Sequence, residues 1–561
     1  MEYDVSACVL REVTTPRTFA FDLAARQRDT PNAVTAVLEV RRSDDAAVRT
    51  VTPVRYHRRM YAFLALSASA QDLVLEGLVP ADDGVDYFAL DVEVPEGTVE
   101  IEVAHRATDD RDVLDFGLLD AAGFRGWGGG NSEPAVVGEE AASRSYLPGP
   151  LPAGTWRVLV GEAQLRSEAP GYRVEVSFHT IPTLTHAADR APYTDVAPLV
   201  NAPGWYAGDF HVHSEDSGDA SATLDTIGAF AEGRGLDFIV VTDHNTVSHV
   251  DRLGAVQAAH PALLYVPGVE FTTYAGHATG FGASSHVPHT LGYDGVTVEA
   301  AAEAFAAQDA LFSINHPVLD LGDLCIGCAW TAAIPPVGLL HGVEVQTGAY
   351  GVTGALFHED AVAFWEGLLD QGYHLAALGG SDDHRGGTGE GPLDSPIGSP
   401  TTLVWADDLS VDALREGVRS SRTVVKLNGP EDPMIILDTT PARDGDTVTA
   451  ATVTLEATVT GGLGSTVRFV RNGVAMEHAR VDADPFVLSL EVTPPASGSD
   501  RYRVEAVGSD DVPQVLTSYV WVAAAPEAAD LPACGCRSGG GSGALVACVA
   551  LLSRRRRPLR R

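Results

Sequence analysis

Lysine is almost missing from this chain: Lys426 stands alone among 561 residues, against 37 arginines. No lysine precedes it, so a carbamylated lysine, a familiar bridge between paired metal ions, cannot form in the first 425 residues. Cysteine is scarce too, at six residues. Cys325 and Cys328 make one CxxC, but a full zinc site needs four ligands and no second CxxC lies near. The pair therefore reads as a short disulfide or as two reduced core thiols. Positive charge is deficient: the formal net charge is −38. That excludes nucleic acid as a bulk partner, because phosphate backbones need a basic surface. It also repels an anionic substrate unless metal ions make the site positive. The first residues, MEYDVSACVLREV, lack the basic and apolar regions of a signal peptide. Apart from a nine-residue stretch near the C-terminus, Ala544–Leu552, long apolar runs are absent, and that stretch falls short of the roughly 20 residues that span a bilayer.

Histidine is abundant and unevenly placed. Thirteen of the 18 lie between His211 and His384, fewer than a third of the positions, which favours ligation over scattered structural roles. They fall in a series: DFHVHS (209–214), VTDHN (241–245), GVEFTTYAGH (268–277), SINHP (313–317) and GGSDDH (379–384). Nearly every member ends a short apolar run of the kind that forms a buried parallel strand, and such ends converge at the mouth of a barrel. His211 and His213 alternate as i and i+2, so both face one side. Asp382 and His384 repeat that spacing after three small residues. His244, Glu270, His277 and His316 complete the set. Asp219, in the loop HSEDSGDAS, is a further candidate with Asp216 as its competitor. Asp243 stands beside His244 as an orienting or proton-moving residue, and Arg385 follows the last motif, placed to pair a phosphate oxygen. Imidazoles and carboxylates without thiolate make a hard-to-borderline site. Eight or nine such ligands exceed the needs of one ion and suit two or three divalent metals sharing a bridging carboxylate. Such clusters generate hydroxide as nucleophile, so no serine or cysteine is required.

The surrounding pattern divides the chain. Residues 1–197 alternate apolar and polar positions in DYFALDVEV (86–94), TVEIEVAHR (98–106), TWRVLVGE (155–162) and YRVEVSFH (172–179), which predicts a β-sandwich, with the first 70 or so residues as a possible separate unit. Residues 198–428 alternate strand and helix patterns, predicting a (β/α) barrel of about seven strands, with Ser221 or Thr223 capping its first helix. Residues 429–523 return to strands around a tight turn at Asn472–Gly473, predicting a small Ig-like sandwich. Residues 524–561 form a linker and tail. The fold class is thus α/β, a barrel flanked by two β-sandwich domains.

Together, HxH, TDHN, the GxE strand, NHP and GSDxH resemble the PHP (polymerase and histidinol phosphatase) family over roughly residues 205–425. GVEFTTYAGHATGFG resembles its carbaryl-hydrolase-like (CehA/McbA) branch. The resemblance implies a distorted (β/α)7 barrel, a trinuclear Mn, Fe or Zn site, and phosphoester hydrolysis in most members, with aryl carbamate hydrolysis in a few. In the family an aspartate often follows the second histidine of HxH by five residues; here Asp219 follows by six. The amidohydrolase barrels, which also use HxH, are disfavoured by the missing lysine. The expected activity is a metal-dependent phosphoesterase acting on a small ester; the alternatives are a carbamate, ester or amide hydrolase on the same site, or an inactive surface-binding barrel. From Cys534 to Arg561, Cys-Gly-Cys, small residues, an apolar run and an arginine cluster resemble myxobacterial sorting tails (MYXO-CTERM). This implies a cell-surface or secreted protein, membrane contact through the tail alone, and a sortase-like processing enzyme as partner.

Overall fold

In the computed structural model the chain is described over residues 73–80, 84–351, 354–389, 391 and 394–524, with the backbone of one further strand pair, Ala20–Asp22 and Glu39–Arg41. The rest of the first 70 residues and the tail from Cys534 to Arg561 lie outside the described residues. Residues 73–179 form two four-stranded antiparallel sheets. One runs in the order 73–78, 171–179, 100–107, 135–138 and the other 87–94, 154–164, 113–120, 123–129. Ile101, Val103, Val174 and Val176 of the first pack against Val92, Phe116, Trp156 and Val158 of the second. The period-2 alternation along each strand supplies these apolar faces, and the result is sandwich-like.

The central region is mixed α/β. Its strands are β1 (Gly204–Val212), β2 (Phe238–Val241), β3 (Leu264–Thr273), β4 (Gly276–Phe281), β5 (Leu311–Ile314), β6 (Gly342–Thr347), β7 (Ala376–Gly380), β8 (Thr401–Ala406) and β9 (Thr423–Lys426). They lie side by side in the order β7-β6-β5-β4-β3-β2-β1-β8-β9. Pairings β1–β2, β2–β3, β5–β6 and β6–β7 are parallel. β2, FIVV, is buried throughout, as expected of a parallel strand covered on both faces. The helices are α1 (Leu224–Gly233), α2 (Leu253–Ala259), α3 (Val298–Ala307), α4 (His358–Asp370) and α5 (Val411–Arg419). Thr223, Thr297 and Ser410 cap α1, α3 and α5 by accepting a backbone N–H.

The expected run of seven strand–helix units is replaced by a less regular arrangement with fewer helices. β3 and β4 make an antiparallel hairpin, and β4 pairs antiparallel with β5. No α-helix joins β5 to β6, because Pro317, Pro335 and Pro336 with Gly322, Gly327 and Gly338 forbid one there. β8 and β9 are antiparallel to their neighbours. The two ends of the β1–β7 row nevertheless meet. Val212 bridges Asp383, with Asp382 N donating to the His211 carbonyl and His213 N to the Asp383 carbonyl, each at 2.9 Å.

β9 pairs with Pro513–Thr517, which extends the same row into strands 499–507, 466–471 and 474–480. A three-stranded sheet of 434–440, 453–460 and 486–492 faces them, and Ile435, Leu455 and Val459 pack on Val467, Phe469 and Val504. Asn472 and Gly473, at φ of 48° and 81°, make the tight turn between strands 466–471 and 474–480. Among the described residues no helix is long and apolar enough to cross a membrane.

Candidate metal centre

The contact between the ends of β1 and β7 interleaves two motifs. Along β1, Val212 turns into an apolar cluster with Ile239 and Val241, while His211 and His213 turn to the opposite side. Beyond β7, Asp383 accepts from the backbone N–H of Arg385 and Gly387, so Asp382 and His384 face the same side as the two histidines. Gly380 permits this proximity: a Cβ there would run into the Cβ and N of His211 and the Glu344 carboxylate. Three non-glycine residues at these strand ends have left-handed backbone, Asn245 (φ 53°), His316 (φ 26°) and Asp382 (φ 56°). Such conformations cost energy and persist where surrounding contacts impose them.

Glu270, fully buried at the middle of β3, is the hub. Its two carboxylate oxygens lie 2.8–3.5 Å from ring nitrogens of His211, His213, His244, His277 and His316. Asp382 Oδ1 lies 3.3 Å from His211 and 3.1 Å from His213. Asp219 Oδ2 lies 3.5 Å from His244 and 3.4 Å from His384. Asp216, its competitor in the sequence, points elsewhere: it accepts from Ser145 N and pairs with Arg252 at 3.1 Å. The donor atoms fall into overlapping groups within 4.8 Å, namely His213/His244/His384, His211/His316/Asp382 and His211/His213/Glu270. Eight of the nine ligand candidates therefore converge through these groups and Glu270, and Asp219 stands at the edge beside His244 and His384.

The chemistry of this set fits divalent cations. His316 Nδ1 donates to the Cys328 carbonyl at 3.2 Å and His384 Nδ1 to the Asp382 carbonyl at 2.9 Å. Their Nε2 atoms then face Glu270 and Asp219 oxygens, 3.2 and 3.4 Å away. Burial opposes protonation, but those carboxylates outweigh it and raise both imidazoles, His384 to about 9, so each gap calls for a proton or a cation between nitrogen and oxygen. Both ring nitrogens of His211 and of His277, and Glu270 Oε2, are buried without a hydrogen-bond partner, an expensive state for a polar group unless an ion satisfies it. Burial, followed by repulsion from His384 and His244, pushes the His213 imidazole down to about 3, which keeps it neutral. Burial favours protonated Glu270, but His211, His244 and His277 outweigh it and hold the carboxyl well below its usual range.

Exposure gives the cluster a direction. His211, His213, Glu270, His277 and His316 are sealed, whereas His244, Asp382 and His384 are about a fifth exposed and Asp219 is 58 % exposed. Solvent therefore reaches the cluster over the His244–Asp219–His384 side. Arg385 is exposed at that edge and donates one Nη to the Asp219 carbonyl at 3.2 Å. Asp243 is not in the cluster: fully buried, it accepts from Ser214 N and Oγ and lies 2.9 Å from His249.

Four participants were not among the residues singled out in the sequence. Glu344, on β6, lies 3.4 Å from His211 and accepts from His316 N at 2.8 Å. Asn315 donates to Glu270 Oε1 at 2.9 Å. Ser217 meets His213 Nδ1 at 2.9 Å and Thr272 meets His244 Nδ1 at 2.6 Å. A glutamate inside HGVEVQ, otherwise a buried strand, was the one available signal for Glu344. Cys325 and Cys328 are joined as a disulfide.

A mixed α/β sheet bearing a buried histidine–carboxylate cluster defines a candidate metal-binding protein. No protein-family model matches the chain, and no curated protein matches it. Among solved structures it is similar to a two-domain protein from Bacteroides vulgatus containing a predicted PHP-like metal-dependent phosphoesterase (19% identity, 59% of this chain and 100% of that one, TM-score 0.33). It is also similar to a candidate metal-dependent phosphoesterase from Bifidobacterium adolescentis (14% identity, 33% and 89% covered, TM-score 0.22). A third is a CARDB domain from Pyrococcus furiosus in complex with di-metal ions (20% identity, 17% and 97% covered, TM-score 0.14). Scores of this size leave the functional argument to the site itself.

Proposed function

We propose that this chain is a PHP-type metal-dependent hydrolase whose β1–β7 row acts as a distorted barrel, and that it cleaves phosphoesters. The observation that carries the reading is Glu270, one buried carboxylate facing five imidazoles, two of them with no hydrogen bond on either ring nitrogen. His211, His213, His244, Glu270, His277, His316, Asp382 and His384 would hold two or three Mn, Fe or Zn ions, with Asp219 closing the exposed side. Bound divalent ions supply Lewis acidity and make water nucleophilic near neutral pH. The chain's own contribution is to orient the His213, His244, His316 and His384 imidazoles through one ring nitrogen, to seal one side against water, and to offer the Arg385 guanidinium at the open edge for an anionic oxygen.

A carbamate or neutral ester remains the second reading, favoured by an acidic, aromatic group near His244. Tyr274 OH donates to Asp115 of the N-terminal sandwich at 2.8 Å, and Tyr274 stacks on Tyr87 at 5.2 Å. Burial pushes Asp115 up to about 6, and His244 is close enough to oppose that rise. Acidic, aromatic surroundings suit an uncharged aryl group better than a phosphate dianion.

The test is metal content by mass spectrometry beside hydrolysis of p-nitrophenyl phosphate, bis(p-nitrophenyl) phosphate and an aryl carbamate. Two or three ions per chain with turnover is expected, and the preferred ester separates the two readings. His211→Ala and Asp382→Ala are expected to lose metal and at least about a hundredfold in rate while the protein stays folded. Full turnover by a metal-depleted variant would sink the assignment.

A further inference from the structure

The two sulfurs of the Cys325–Cys328 disulfide face different surroundings. Cys325 is half-buried, next to the exposed turn Gly322–Leu324. Cys328 is 1 % exposed, and its sulfur lies within 4.8 Å of ring nitrogens of His277 and His316. The backbone fixes this placement. Gly327 has a φ of 77°, and a Cβ there would run into the Thr273 carbonyl and the backbone of Tyr274, so the loop is pressed onto the β3–β4 turn. The Cys328 carbonyl accepts from His316 Nδ1, and Trp330 N donates to the Pro317 carbonyl at 2.8 Å. His277, 3 % exposed, makes no hydrogen bond through either ring nitrogen.

We propose that this disulfide gates the metal centre: its reduction frees the Cys328 sulfur to join His277 and His316 as a third donor, adding a soft thiolate to a site otherwise built from nitrogen and oxygen. The proposal rests on the metal-centre reading above. The reductant is a dithiol. One of its thiolates attacks the reachable Cys325 sulfur; a sulfur–sulfur bond forms between them, the Cys325–Cys328 bond breaks, and the electron pair leaves on Cys328. The second thiolate of the reductant then attacks its own sulfur in that mixed disulfide, closing a cyclic disulfide and releasing Cys325, which takes up a proton. Two electrons pass from the dithiol to the protein, and Cys328 receives either a proton or the cation beside His277 and His316. A thiolate there selects zinc-class over manganese-class ions, so the redox state sets which metal the centre prefers.

Cobalt(II) is the probe, added to the full-length protein after anaerobic removal of the dithiol. A thiolate-to-cobalt charge-transfer band is expected in reduced protein and not in oxidised protein. Cys328→Ser is expected to abolish the band in both states, which also separates Cys328 from the remaining cysteines. Cys325→Ser is expected to show the band without reductant. Two or three cobalt ions per chain with no band after reduction would overturn the gate while leaving the metal centre standing. Failure to bind cobalt in either redox state would overturn both. The comparison of redox states of the unmodified protein needs no variant to fold.

Discussion

Thr272 shows how a single side chain can tune the centre without touching an ion. Its hydroxyl donates to the Glu270 carbonyl at 3.2 Å, so its oxygen accepts from His244 Nδ1 at 2.6 Å and His244 Nε2 is turned to Asp219 at 3.5 Å. Thr272→Val keeps the shape and removes that hydrogen bond. Metal affinity is expected to fall about 10- to 100-fold by competition against a chelator, with little loss of stability. Gly380→Ala tests the opposite limit. Its methyl would meet His211 and Glu344, so β1 and β7 must part; a destabilisation of about 1–3 kcal/mol, read by denaturant unfolding, is expected together with metal loss. His211, His213, His244, Glu270, His316, Asp382 and His384 were legible in the sequence because each closes an apolar run or repeats at i and i+2, whereas Glu344 has only its place inside a buried strand to mark it. Thr272, Ser217 and Asn315 were not, since their roles depend on which ring nitrogen comes to rest beside them. Asp243 shows the converse: adjacency to His244 in sequence placed it on the opposite side of the strand, with Ser214 and His249.

At the scale of elements, the alternation of apolar runs with helical patterns gave most of the strands and α1, α2, α3 and α5, but neither α4 nor how the strands are joined. The glycine before His277 marks a turn after Glu270, but the pattern does not say that the chain comes back antiparallel as the β3–β4 hairpin, which brings His277 opposite Thr272. α4 carries an acid-sensitive element that the sequence did not reveal. His358 is 6 % exposed and Nδ1 donates to the Val345 carbonyl at 3.1 Å; burial pushes it from the usual 6.5 down to about 4. His105, stacked on Phe116 inside the N-terminal sandwich, is pushed down likewise to about 4. The unfolded chain binds these protons below about pH 6.5, whereas the folded chain resists them until about pH 4. Stability is therefore expected to fall as pH drops from 6.5 towards 4 and to be insensitive to these groups above that window. His358→Gln keeps a donor for Val345 and cannot titrate. Its stability, followed by urea midpoint against pH, is expected to lose on the order of 3 kcal/mol less than the parent across the window. Parallel slopes for the two proteins would remove His358 as a cause.

Across the whole molecule, the centre is held from both sides. Ser145 Oγ donates to the Asp216 carbonyl at 2.7 Å and Arg144 to the Ala220 carbonyl at 3.2 Å, so the N-terminal sandwich grips the loop that carries Asp219. On the far side Tyr519 OH donates to Glu366 of α4 at 2.6 Å, and Arg501 pairs with Asp370 at 2.6 Å. These contacts surround a site rich in cation ligands with a chain of net charge −38. On the proposed function, the long-range field would oppose the arrival of a phosphate ester, which bound ions and Arg385 would attract only at close range. Salt shortens the reach of both, from about 30 Å at 0.01 M to about 8 Å at 0.15 M, and the diffuse repulsion is lost first. With a phosphodiester anion, kcat/KM is therefore expected to rise several-fold over that salt range. With a neutral aryl carbamate it should stay flat, because neither field acts on an uncharged substrate during approach. A fall with salt for the phosphodiester would instead mean that the positive centre dominates well beyond its own mouth, and that the acidic surface lies turned away from the path of the substrate.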